Sequence, residues 1–322
     1  MIICKAPLRV SFLGGGSDFD YFIQKNKFGA TLSCTINKFV YVVLFSKKEK
    51  NYKINYSKQE SVKKINKIKH RHIRLAFKYF NIKKGIELSS FAEIKSGIGL
   101  SSSSAFDSAL ILGLEKLNKN QGKRDIWKRV YYFENEIIKN YTGYQDQYII
   151  NNGGIRFTKY FKNKKTISKK IIINKKIISF FKNNLILIDT GIKRNYRLVH
   201  NDQKLNKGKN NKNLLLLRNN ATKGYGLLKK FEFKKFAQLL QKSWELKKSL
   251  SKEIFKNIKL KRLEEKLKIN GFWGLKLLGM GGGGIILVLG TKNYINKIKK
   301  LKKYRSYSIL PTTDKAKIIY SE

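Results

Sequence analysis

An α+β fold in two domains is what this sequence predicts, and three observations predict it. Strand-like runs open the chain and helix-like runs fill most of its second half, without the regular strand–helix alternation of a doubly wound sheet. The length of 322 residues suits two domains, and 42% hydrophobic with 12% aromatic residues is far too apolar for a disordered basic tail. No fixed-period repeat is visible, which argues against a solenoid. The division is expected near the lysine-rich stretch from 158 to 176, giving domains 1–165 and 166–322.

The elements follow in order. Ile2–Cys4 and Arg9–Leu13 read as strands leading into the loop Gly14-Gly15-Gly16-Ser17-Asp18, and Phe39–Phe45 is a β-branched and aromatic strand run. Ile86–Ile94 is another strand. The loop 95–104 (KSGIGLSSSS) follows it and opens a helix over Ala105–Leu117, whose apolar residues suit burial. A second helix is expected over 124–140, broken at Thr142-Gly143. Leu185–Asp189 is a short strand ending in Thr190-Gly191. Helices are expected over 213–230, 234–250 and 260–269, before a glycine-rich loop through Gly284 enters the apolar strand Ile285–Leu289.

The charge needs its own account: 70 Lys and Arg against 21 Asp and Glu leave +49. Dense basic residues neutralise phosphates and give salt-dependent nucleic-acid affinity. Such a footprint predicts clustering, whereas the lysines here are spread over nearly every segment in the company of Asn and Ile. A compositional background accounts for the charge better, and no nucleic-acid partner is expected. Two cysteines and three histidines supply neither a disulfide scaffold nor a metal cluster. No apolar run approaches the roughly 20 residues that span a bilayer, and no signal peptide is seen, so a cytoplasmic chain without a membrane partner is expected.

The loop Ser96–Ser104 is the most informative local feature. A helix N-terminus presents unpaired N–H groups and a positive dipole end, glycines allow close approach of an anion, and serine hydroxyls can bind phosphate or Mg²⁺. Taken alone, a Gly/Ser turn capping a helix is as often structural. It is not a Walker A loop, since no Gly-Lys-Ser/Thr closes it. The two other glycine loops, 14–16 and 281–284, each sit at the edge of an apolar strand, and three such loops in one chain suggest close approach to something.

In this order the three loops resemble the GHMP small-molecule kinases. The resemblance rests on Lys5-Ala6-Pro7-Leu8-Arg9 through Gly14-Gly15-Gly16-Ser17-Asp18, on Gly97-Ile98-Gly99-Leu100-Ser101-Ser102-Ser103-Ser104-Ala105, and on the Lys276–Gly284 loop, together spanning nearly the whole chain. It implies a two-domain fold with the active site in the cleft between domains, and an ATP- and Mg²⁺-dependent transfer to an alcohol. The triple glycine with Ser17-Asp18, the segment Gly143-Tyr144-Gln145-Asp146-Gln147-Tyr148, Asp189-Thr190-Gly191 with Arg194, and Ser243-Trp244 through Ser251 are most similar to the D-glycero-D-manno-heptose 7-phosphate kinase branch. Ser101 stands where that branch usually has Gly, and Met280 where it usually has Ala.

The resemblance implies roles residue by residue. Asp146 is the base and Arg9 its basic partner; without the resemblance, Asp146 reads rather as a helix-cap or turn aspartate after Gly143. Gly97, Gly99, Ser101, Ser102, Ser103 and Ser104 bind the nucleotide. Gly15, Gly16, Ser17, Asp18, Arg194, Gly282 and Gly283 bind the sugar phosphate, with Lys193 and Arg197 beside Arg194 for its distal phosphate. Ser104 and Glu134 hold Mg²⁺, with Glu136 as a competitor for Glu134. Trp244 and Lys247 share a helical face and either line the cleft or, for the tryptophan, fill the core. The implied reaction phosphorylates the anomeric hydroxyl of the heptose 7-phosphate, on a route to surface polysaccharide. A kinase of another sugar such as fucose, a nucleotide-binding relative without activity, and a basic nucleic-acid-binding protein are the alternatives; a homodimer is an open option.

Overall fold

A computed structural model describes residues 1–119, 125–193, 210–301 and 303–322. In chain order the first part runs β1 (Ile2–Leu13), α1 (Asp20–Asn26), β2 (Phe28–Lys47), β3 (Tyr52–Asn55), β4 (Gln59–Val62), α2 (Arg71–Tyr79), β5 (Gly85–Ala92) and α3 (Ser102–Leu117). Then come α4 (Ile126–Tyr132), α5 (Gln145–Asn152), β6 (Ile155–Phe161), β7 (Thr166–Ile171), α6 (Lys175–Asn184) and β8 (Leu185–Asp189). The rest is α7 (Asn211–Lys229), α8 (Phe233–Lys248), α9 (Ile258–Leu267), β9 (Phe272–Leu277), β10 (Ile285–Gly290), α10 (Lys292–Lys299), β11 (Ser306–Tyr307) and β12 (Lys317–Ser321). The α+β class holds: one sheet has eight strands in the order β12-β1-β2-β5-β3-β4 with β6 attached to β2 and β7 to β6, and the other has four in the order β11-β8-β10-β9.

The two short strands expected at the start are one. β1 runs unbroken through Pro7, which has no N–H to give a ladder, and the pairing with β2 shifts register between Pro7 and Arg9. A bulge there redirects the Arg9 backbone, whose N–H leaves β2 and donates to Leu100 O at 3.1 Å. The Phe39–Phe45 run is the second half of the 20-residue β2, which changes partner along its length: Phe28–Cys34 pair with β6 and Val40–Lys47 with β5.

The lysine-rich stretch is part of the first sheet. β6 buries Ile155, Phe157, Thr158 and Tyr160 and leaves Arg156, Lys159 and Phe161 half-exposed, so both of its faces carry buried side chains. β7 pairs with it as an edge strand, and Lys169 and Lys170 on that edge are exposed, which discourages pairing with another chain. The chain passes from one sheet to the other between β7 and β8, and its last strand returns: Lys317–Ser321 pair with Ile2–Lys5. A cut after residue 165 would therefore separate β6 from β7 and β12 from β1.

α3 lies on β1 and β2 and presses closely. A Cβ on Gly113 would stand 2.6 Å from Leu44 Cδ1 and 3.2 Å from Cys4 Sγ. Its Ala109, Leu110, Ile111 and Leu114 are fully or almost fully buried, at about 1.5–3 kcal/mol for each of the larger side chains. This packing fixes the direction of the α3 N-terminus. The helix expected over 124–140 begins at Ile126 and ends in a π-helical turn, Phe133–Ile137.

Candidate active site

Hydrogen bonds to backbone carbonyls bring the three glycine loops together. Arg9 N–H reaches Leu100 O, and Arg9 Nη1 donates to Gly99 O at 2.7 Å, tying β1 to the second loop. Ile285 N–H donates to Ile98 O at 2.8 Å, tying the third loop to the second. Lys276 on β9 reaches back across 265 residues, donating from Nζ to Ser11 O at 2.9 Å and Phe12 O at 2.7 Å. A cavity between the first and third loops is lined by residues that include Arg9, Gly15, Gly16, Asp18, Asp146 and Lys276.

Asp146 and Arg9 face each other as a fork. Arg9 donates from Nε to Oδ1 at 2.7 Å and from Nη2 to Oδ2 at 2.8 Å, the bidentate geometry that orients a carboxylate best. The arginine side chain is 6% exposed and the aspartate 31%, so the carboxylate can be reached by a ligand while its partner is held behind it. Asp146 sits in the first turn of α5, near that helix's positive end.

Asp18 forms the opposite wall. Gly14 and Gly16 have φ of +83° and +100°, turning the chain so that Asp18 accepts from Gly16 N at 2.9 Å and from Gln145 N at 3.0 Å. Gly143 is required by the same contact, since a Cβ there would lie 2.1 Å from Asp18 Oδ2. Burial pushes the Asp18 carboxyl up, against the pull of those two amides, and nearby Asp146 adds to the rise. Ser17 is fully buried and spends its hydroxyl on Gly14 O and Ala30 O, so it shapes the turn. Burial, then Lys247 and Arg9, hold Lys276 well below the ordinary lysine value.

The second loop has an open cradle. Gly97 has φ of +80° with nothing within 4 Å of where a Cβ would stand, and Gly99 has φ of +106°. Ser102 Oγ is buried and has no hydrogen-bond partner, whereas Ser103 is exposed. Ser101 adopts the left-handed region, φ 57° and ψ 39°, which costs a non-glycine residue about 1–2 kcal/mol. Its hydroxyl donates to Asp146 Oδ2.

Behind that cradle lies the pair expected to hold a metal. Glu134, in the π-helical turn, is 2% exposed; Oε2 accepts from Gln147 Nε2 at 2.7 Å, Oε1 has no partner, and the nearby Ser104 hydroxyl pulls against the rise in its pKa. Burial, then the charges of Asp107 and Asp146, raise its pKa from 4.5 to about 8. An orphaned carboxylate oxygen beside a serine hydroxyl is a hard-oxygen pair of the type Mg²⁺ takes, so the residues fit the ion. Glu136 is at the surface, 3.7 Å from Lys139, and does not compete. Asp107, fully buried, accepts from His72 Nδ1 at 2.8 Å; sequence reasoning had no signal for this pair.

The remaining expected residues divide. Gly282 gives its N–H to Ile254 O at 2.9 Å, and a Cβ on Gly283 would lie 2.5 Å from Ile192 O, so both pack the third loop against its neighbours. Gly279 and Met280 line the cavity instead. Lys247 also lines it, but Trp244 does not: it is fully buried, donating Nε1 to Glu264 Oε2 at 2.8 Å, because the helix turns that face onto α9. Lys193 is exposed, and Arg194 and Arg197 lie outside the described residues. Gln145, Lys276 and the Ser101–Asp146 contact were not singled out from the sequence as lining, buried cation or positioning contact.

Comparison with known proteins agrees with this geometry. The family model for the GHMP kinases N terminal domain matches residues 63–154, which include the second glycine loop, Glu134 and Asp146. The D-glycero-alpha-D-manno-heptose 7-phosphate kinase of Campylobacter jejuni is 29% identical over 320 residues, 94% of each chain. Among solved structures, a D-glycero-D-manno-heptose 1-phosphate kinase from Bacteriodes thetaiotaomicron has a TM-score of 0.78 at 18% identity, covering 100% of both chains. The Lactococcus lactis galactokinase has a TM-score of 0.74 at 16% identity, covering 98% of this chain and 94% of its own. With residues 63–154 matching the N-terminal domain model and a kinase similar over its full length, this chain resembles the GHMP kinases and is an ATP-dependent phosphotransferase.

Proposed function

We propose that the chain transfers the γ-phosphoryl group of ATP to the anomeric hydroxyl of D-glycero-D-manno-heptose 7-phosphate, giving the 1,7-bisphosphate, in the cytoplasm and on a route to surface polysaccharide. The observation that carries this reading is the reachable Asp146 carboxylate, oriented by Arg9 in a cavity that also holds Asp18 and two lysines, Lys247 and Lys276. The full-length relative, a heptose 7-phosphate kinase, supports the choice of acceptor.

Phosphoryl transfer asks for positioning and charge stabilisation more than covalent chemistry. Asp146 accepts the proton of the attacking hydroxyl, and Arg9 stays paired with it as that proton arrives. Asp18, held by two amides, accepts hydrogen bonds from ring hydroxyls. Ser102 and the backbone around Gly97 and Gly99 face the nucleotide phosphates at the α3 N-terminus. Ser104 and Glu134 would hold Mg²⁺, which neutralises phosphate oxygens when bound. Arg194 is the candidate for the distal phosphate.

Purified protein with ATP, Mg²⁺ and a panel of sugars and sugar phosphates tests this directly. ADP release should be fastest with the heptose 7-phosphate, and Asp146→Asn should lower it by about 10²–10⁴-fold. Undiminished release in that variant removes Asp146 as base. Preference for a free sugar removes the proposed acceptor.

A further inference from the structure

The hydrogen bonds received by Asp146 are unevenly shared. Oδ1 accepts one, from Arg9 Nε, while Oδ2 accepts two, from Arg9 Nη2 and from Ser101 Oγ. A carboxylate oxygen offers about two acceptor sites, so Oδ2 is filled and Oδ1 keeps one.

The backbone explains why the serine is there. A serine preceding a helix ordinarily turns its hydroxyl back onto an amide of the first turn. Ser101 precedes α3 but makes no such cap, because its left-handed φ of 57° sends the side chain away from the helix and towards a residue 45 positions later. The hydroxyl next to it, Ser102 Oγ, is buried and unpartnered.

We propose that Ser101 is a positioning residue for the phosphoryl transfer, holding Asp146 Oδ2 so that Oδ1 is the oxygen that takes the acceptor's proton; this rests on the kinase reading above. In the step so defined, the acceptor oxygen forms a bond to the γ-phosphorus as its proton passes to Oδ1. The bond from that phosphorus to the bridging oxygen breaks, and its electron pair leaves with ADP. Ser101 keeps its own proton throughout. With Arg9 it forms a three-donor clamp that stops the carboxylate rotating about its Cβ–Cγ bond, which would otherwise exchange the two oxygens.

Steady-state kinetics of Ser101→Ala and Ser101→Gly, alone and combined with Asp146→Asn, test the proposal. Both single variants should lower kcat about tenfold, the size expected for a lost hydrogen bond to a charged group, with the KM for ATP within twofold of wild type. Only Ser101→Gly relieves the left-handed backbone, so it should raise the melting temperature while Ser101→Ala does not; equal kcat losses then assign the effect to the hydroxyl and not to the backbone. On the Asp146→Asn background, neither substitution should change the residual rate further. A rise in the KM for ATP with kcat retained would make Ser101 a nucleotide ligand and overturn the proposal, as would an undiminished tenfold loss on the Asp146→Asn background. Failure of the wild-type protein to release ADP with any acceptor overturns the kinase reading itself, and the proposal with it.

Discussion

Replacing Glu134 by Gln keeps the shape of the side chain and removes its ability to ionise, and the consequence can be worked out from its surroundings. Burial and two neighbouring acids raise this carboxyl from 4.5 to about 8. In the unfolded chain it loses its proton near the ordinary glutamate value, while the folded protein holds that proton through neutrality. The folded state therefore binds more protons between these limits, and its stability must fall as pH rises from about 4.5 to 8, then level off. The separation of about 3.5 pH units, at about 1.4 kcal/mol each, sets a ceiling of about 5 kcal/mol, of which about 2 kcal/mol falls between pH 6 and pH 8. Urea unfolding without Mg²⁺, followed by circular dichroism at several values from pH 6 to pH 9, reads this. Wild type should lose about 2 kcal/mol more than Glu134→Gln across that window, and Mg²⁺ with ATP should recover stability at pH 8 in wild type only. Parallel pH profiles for the two proteins, or a steeper loss in the variant, would refute both the raised carboxyl and its readiness to trade a proton for a metal.

Other expectations rest on single contacts. Gly143→Ala drives a methyl group into Asp18 Oδ2, 2.1 Å from the ideal Cβ, and should cut kcat/KM at least tenfold while leaving the far-UV circular dichroism spectrum in place. Trp244→Phe strands the Glu264 carboxylate oxygen that Nε1 now satisfies, and should cost about 1–3 kcal/mol in urea unfolding with kcat nearly unchanged. Burial pushes the Cys4 thiol up to about 12 and Cys34 well above its ordinary value, so neither should react with Ellman's reagent until the protein unfolds.

Much of the candidate site was legible in sequence because its glycine loops are written in adjacent residues. Gly97, Gly99 and Ser101 precede α3, Ser102–Ser104 form its first turn, and Gly143 lies close before Asp146, so the candidate residues are close in sequence. The Ser101–Asp146 contact spans 45 residues, and the Lys276 bond to Ser11 spans 265; each depends on how sheets pack, which no local pattern encodes. The strand β7 was hidden for a different reason. Its lysines mark it as polar, and only its place at a sheet edge makes that polarity compatible with a strand. Continuity of β1 was hidden by Pro7, whose missing donor suggests a break unless a bulge absorbs it. Trp244 was ambiguous because a helical face can turn to the cleft at Lys247 and to the core one turn earlier.

The return of β12 to β1 has a consequence for how the protein is made. During synthesis from the N-terminus, β1 can pair with β2 early, but its other edge has no strand beside it until residues 317–321 leave the ribosome. Until those residues are made, the strand that carries Arg9 has an unpaired row of backbone groups at Ile2–Lys5, the kind of edge that recruits a strand from another nascent chain. Lys5 and the later pairing of its ammonium with Asp314, at 3.0 Å, place a charge on that edge while it waits and a latch on it once the last strand arrives.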